Sequence, residues 1–250
     1  MQPSTADGPE PQRLTALWLV SLHLAPGIVF TAVLVLVSRV FVQHGYTAYL
    51  AEILLIPVCL VPVLVSIMLV WDARSGESLS LVCAIRYREH GTVGDYIAWP
   101  LLLFLCCALG SLVLAPLADL LESSFLSWFP PQLGTDAMLG GLASSPRGLR
   151  RATLLVAALL SGVVAPLVEE AYFRGFLLPR MQHLGLMAPA LNAFLFGLYH
   201  FFSPWALPVI FVIFLPVAYV VQARRNFRIG VVAHAMFNLT GVLTLTLRLP

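Results

Sequence analysis

The chain has 250 residues, 60% of them hydrophobic and 10% charged, with a mean hydropathy of +0.91 and a formal net charge of +2. A soluble domain is about 45–50% apolar and about 25% charged. These figures exclude an ordinary soluble domain and give no footing for nucleic acid. They specify a polytopic membrane protein.

Residues 1–13 are polar and proline-containing and read as a disordered tail. The apolar run after them is longer than a signal-peptide core of about 7–15 residues, so it reads as a retained span. A spanning helix needs about 20 mostly apolar residues. On that measure the first is Leu17–Phe41, with Pro26 and Gly27 as a candidate kink and His23 as a packing or hydrogen-bonding residue. The second is Tyr49–Trp71, with Glu52 near its start and Trp71 as an interfacial anchor. Asp72–Tyr96 is a polar connection in which Leu79–Arg88 reads as a short amphipathic piece lying on the membrane.

The third span is Ile97–Leu117. Asp119–Arg147 then reads as a long loop, acidic and aromatic at first and a glycine-rich flexible linker at its end. Four further helices follow: Ala152–Met181, Leu186–Phe202, Trp205–Val221 and Ile229–Leu247. Their short connections make them antiparallel neighbours. The expected fold is therefore an all-α transmembrane bundle of about seven spans, in the range six to eight. It divides into a tail (1–13), an N-terminal transmembrane region (14–148) and a C-terminal core (149–250). Cys59, Cys83, Cys106 and Cys107 form neither a CxxC nor a Cys/His spacing, and read as small packing residues.

Arginine bias predicts the orientation. Arg13, the Asp72–Tyr96 connection, Arg180, Arg224, Arg225 and Arg228 fall on one side, which is expected to be cytoplasmic. Arg147, Arg150 and Arg151 run against that assignment.

Three apolar segments carry polar residues that lipid would exclude. Ionisable groups in a spanning helix cost roughly 2.5–3.5 kcal/mol each on insertion scales. The first segment holds Glu169, Glu170 and Arg174, the second Phe196 and His200, the third His234 and Asn238. Residues four apart share a helix face. Each helix thus presents one polar stripe, and the stripes are satisfied only by facing one another or a wet cavity.

A desolvated carboxylate is a competent general base near neutral pH. Imidazoles and an amide can shuttle protons and stabilise an oxyanion. That inventory fits hydrolysis of an amide bond by an activated water. A zinc site built from Glu169, His200 and His234 is the rival, but no HExxH is present.

The ordered set EExxxR, FxxxH and HxxxN over residues 150–245 resembles the CPBP family, the CAAX prenyl proteases of the Rce1 type and their Abi relatives. The resemblance implies an intramembrane glutamic endopeptidase with no metal cofactor. In it Glu169 activates water with help from His200, His234 and Asn238 form the oxyanion hole, and Glu170 and Arg174 support them. It also implies a peptide or protein substrate, lipidated in some relatives, and a bacterial inner membrane with the site toward the cytoplasm.

Overall fold

The computed structural model describes residues 13–74, 80–125 and 128–249. The tail read as disordered therefore lies outside the described residues except for Arg13. The chain is an all-α bundle, and the one isolated strand-like pairing among the described residues joins Arg88 to Asn226. Its helices are α1 (Ala16–Gln43), α2 (Ala48–Arg74), α3 (Asp95–Phe125), α4 (Thr135–Ser144), α5 (Arg147–Leu184), α6 (Met187–Tyr199), α7 (Leu207–Arg224) and α8 (Phe227–Arg248). Six are long and apolar enough to cross a bilayer, and α6 is a shorter apolar helix.

Proline and glycine tie α1 to the C-terminal helices. Pro26 has no N–H to give the Leu22 carbonyl, and the Tyr172 hydroxyl donates to that carbonyl instead, at 2.7 Å. At Gly27 a Cβ would stand 1.9 Å from the Tyr199 carbonyl oxygen, so only glycine lets α1 come this close. Gly27→Ala is expected to destabilise the protein by about 1–3 kcal/mol through overpacking, measured as a loss in detergent-resistant unfolding. An unchanged transition would refute this close contact.

His23 is fully buried and structural. Its Nδ1–H donates to the Leu19 carbonyl at 2.7 Å, and its Nε2 accepts from Asn192 Nδ2 at 3.1 Å. That same amide donates to the Phe173 carbonyl at 3.0 Å.

The motif helix α5 is not regular. Leu160–Val164 and Ala171–Leu177 run in wide i→i+5 turns, a feature that concentrates at functional sites. Freed carbonyls need outside partners in lipid, and they have them. Phe173 has Asn192, Gly175 has the Arg86 N–H at 2.8 Å, and Phe176 has Arg180 Nη1 at 2.7 Å.

Three expectations change. First, the expected amphipathic piece Leu79–Arg88, whose Leu79 lies outside the described residues, packs on protein. Among its described residues Leu81–Ala84 is helical, and the chain then runs extended across the end of the bundle. Phe227 N–H donates to the Tyr87 carbonyl and Glu89 N–H to the Arg225 carbonyl, each at 3.0 Å. This strap buries Ala84 and Tyr87. Burial raises the Tyr87 phenol above its ordinary pKa, and Gln182 Nε2 donates to its oxygen at 2.9 Å. The unpaired backbone of an extended strand explains why it docks on protein rather than on lipid.

Second, much of Asp119–Arg147 is helical. α3 continues to Phe125, and Gly140 and Gly141 lie inside α4 rather than in a linker. Gly141 packs against Thr47, where a Cβ would stand 3.6 Å from its methyl group, whereas a Cβ on Gly140 would meet open space. Third, α5 starts at Arg147, a full turn before the expected Ala152.

The helix α6 is short. Its 13 residues rise about 20 Å, against a hydrocarbon core of about 30 Å. The turn after it, residues 200–206, is half-buried, and there Phe129 packs its ring on Trp205 at 5.2 Å. Local bonds hold this turn: Phe201 N–H to the Tyr199 carbonyl and Ser203 N–H to the His200 carbonyl, each at 2.9 Å.

Candidate active site

Glu169 and Glu170 sit on α5 between its two wide-turn segments, both buried. Their side chains diverge to meet one imidazole. His234 of α8 places Nδ1 3.1 Å from Glu170 Oε1 and Nε2 3.9 Å from Glu169 Oε2. The first contact is a hydrogen bond and the second is a gap. Arg174 follows Glu170 by one turn and stands 3.3 Å from Glu170 Oε1, with both side chains fully buried. The contact is ionic rather than a directed hydrogen bond. The Arg174 guanidinium instead lies over the Phe196 ring at 4.1 Å and near Phe214 at 5.1 Å, where ring quadrupoles stabilise the cation. Glu170 Oε2 packs toward Gly230, where a Cβ would come within 2.5 Å of it.

His200 caps α6. Its Nδ1 lies 2.8 Å from the Phe196 carbonyl. A carbonyl only accepts, so Nδ1 carries the proton and Nε2 of the neutral ring is left as an acceptor. The Phe196 ring meets His200 edge-on at 4.9 Å and His234 at 6.2 Å. It is the apolar hub around which the polar groups are set.

Asn238 lies one turn beyond His234. Its Nδ2 donates to the Ser161 carbonyl at 2.9 Å, in the wide-turn segment of α5. That leaves the second amide N–H of Asn238 unspent. Among the described residues neither His200 nor Asn238 hydrogen-bonds to a carboxylate.

The expected residues thus fall into two shells. Glu170 contacts both Arg174 and His234, Glu169 faces His234 across the 3.9 Å gap, and His200 and Asn238 bond to the Phe196 and Ser161 carbonyls beside them. Among the described residues no group of three or more His, Cys, Asp or Glu side chains gathers as a metal ion would need.

Two participants escaped the motif reading. Tyr199, fully buried, donates its hydroxyl to Glu169 Oε1 at 3.1 Å. Its signal was a lone phenol beside His200 in an apolar helix, where a hydroxyl must find a partner. Phe214 packs on the His234 ring at 4.5 Å. No spacing in α7 distinguishes it from its apolar neighbours.

The fold and the buried acid–imidazole cluster define an integral membrane protein with an intramembrane polar site. Residues 151–240 match the family model of the Type II CAAX prenyl endopeptidases, Rce1-like, and this segment is similar to that family. The segment contains Glu169, Glu170, Arg174, His200, His234 and Asn238. No curated protein and no solved structure matches the chain.

Proposed function

We propose that this protein is an intramembrane endopeptidase that cleaves a peptide bond of a membrane-associated protein or peptide with a water activated by Glu169. The observation that carries this reading is the placing of Glu169 Oε2 and His234 Nε2 on either side of a 3.9 Å gap. That separation is too long for a direct bond and suits a water or a reacting oxygen beside both groups.

Tyr199 holds Glu169 Oε1, so Oε2 is the oxygen free to act. It takes a proton from the water as the oxygen attacks the scissile carbonyl carbon. In this step His234 acts as an imidazolium, giving Nδ1–H to Glu170 and Nε2–H to the oxyanion, and the spare N–H of Asn238 completes the oxyanion's donors. The C–N bond then breaks as the proton reaches the leaving amine, with His200 Nε2 as the auxiliary base. Glu170, held by Arg174, accepts the Nδ1–H of His234 and fixes its ring.

The strap end of the bundle, with Arg86, Arg88, Arg224, Arg225 and Arg228, is read as cytoplasmic by its arginine excess, in a bacterial inner membrane. Glu169 and His234 lie in that half. Substrate lipidation is an open feature of the class and is tested by comparing farnesylated with unmodified peptides.

No metal is needed in this scheme. Activity is expected to survive exhaustive chelation within about twofold, since general base catalysis is supplied by side chains. Chelator inhibition reversed by zinc would instead assign Glu169, His200 and His234 as metal ligands.

A further inference from the structure

A second cavity lies outside the acid–imidazole cluster. It is a groove of about 920 Å³ lined by α3, α4 and α8, with Tyr49 of α2 and Ser161 of α5. Its inner end is Asn238 with Ser161, and its outer end is Arg248 with Leu249. From Asn238 to Arg248, α8 rises about 15 Å, which is the depth of one leaflet of a hydrocarbon core about 30 Å thick.

The wall is more apolar than its residues suggest. The Thr240 and Thr244 hydroxyls that line it donate back to the Met236 and Thr240 carbonyls, each at 2.8 Å. A hydrocarbon occupant therefore leaves these two threonine hydroxyls satisfied. At the outer rim Arg248 ends α8 and lines the groove, while Arg150 donates to the carbonyl of the lining residue Ala143 at 2.9 Å. Exposed Asp119 and Asp136, one turn from Ala115 and Leu139, balance these two charges.

We propose that this groove is a binding site for one diacyl phospholipid of the leaflet opposite the strap, with its phosphate on Arg248 and its chains directed toward Asn238. The groove stops at mid-membrane, so a spanning helix would have to leave it halfway, whereas acyl chains end there. The opening faces away from the strap, so a chain attached to a peptide on the strap side would have to cross the bilayer centre to enter. Asp119 and Asp136 make the phosphate, rather than net negative charge, the recognised element. The bound chains close the outer wall of the pocket that holds Asn238.

The test uses the purified full chain, washed free of lipid in detergent, incubated with dimyristoyl phosphatidylcholine and examined by native mass spectrometry. Gly241 lines the groove, and a side chain there enters open space. Gly241→Leu is therefore expected to fold normally, to unfold at an unchanged or higher temperature, and to lose the single retained phospholipid. Arg248→Gln is expected to weaken retention about fivefold, the effect of one basic residue at a lipid surface. Dimyristoylglycerol, which lacks the phosphate, is expected not to be held.

Equal lipid retention by the wild type and Gly241→Leu would overturn the site. Equal retention of the diacylglycerol would overturn the role of the phosphate. Displacement of the phospholipid by a farnesylated peptide in the wild type would make the groove a substrate site, and would overturn the assignment of its occupant.

Discussion

Glu169→Gln is expected to lower peptide hydrolysis by about 10²–10⁴-fold, the range associated with a positioned general base, while leaving membrane insertion and fold unchanged. The substitution keeps the size of the side chain and its capacity to accept from Tyr199. It removes only the ability to take a proton. Cleavage of a membrane-anchored reporter peptide by the protein in liposomes, followed by mass spectrometry of the new termini, gives the rate. Wild-type turnover by the Gln variant would remove Glu169 as the base. Retention of a cellular phenotype by the same variant would favour a non-catalytic partner that acts by binding.

Arg174→Leu is expected to be the most damaging change to stability. Glu170 would keep a charge that no arginine balances at zero exposure. Breaking a buried pair by removing one partner costs about 3–5 kcal/mol. Glu170 keeps the His234 Nδ1–H, but that bond alone leaves its second oxygen against Gly230 with no partner. Adding Glu170→Gln to Arg174→Leu is expected to recover much of the loss, since no uncompensated carboxylate remains. Denaturant unfolding in detergent for the two single variants and the double variant measures the coupling. Additive losses would show that the pair does not act as a unit.

The motif residues were legible because lipid imposes a strict accounting. Glu170 and Arg174 do share a face, at the i,i+4 contact the spacing predicts, even though the backbone between them widens. Convergence of His234 on both glutamates follows from the same rule applied to α8. What the sequence did not disclose is where irregular backbone finds its partners. The carbonyls of Ala171–Leu177 are met by Arg180 one turn on, by Asn192 of the next helix and by Arg86 of the strap, which is far away in the chain. The strap read as a surface helix because Leu81, Val82 and Ile85 are apolar. Its extended path is set by Gly175 and Arg225 carbonyls that no local pattern reveals. Gly140 and Gly141 read as a linker because glycine signals both flexibility and close packing. The contact with Thr47 decides between them at Gly141.

His200 was expected on a helix and lies at the end of one, a difference of one residue with a chemical result. As the cap of α6 it has the Phe196 carbonyl for its Nδ1–H, and its other nitrogen is thereby left open.

The shortness of α6 also bears on how the protein is made. A segment of 13 residues is too brief to lodge in the bilayer by itself during biosynthesis, so α6 and α7 must enter as a hairpin. His234 and Asn238 arrive only with α8. The pocket proposed above is therefore assembled only after α1 to α7 have been synthesised.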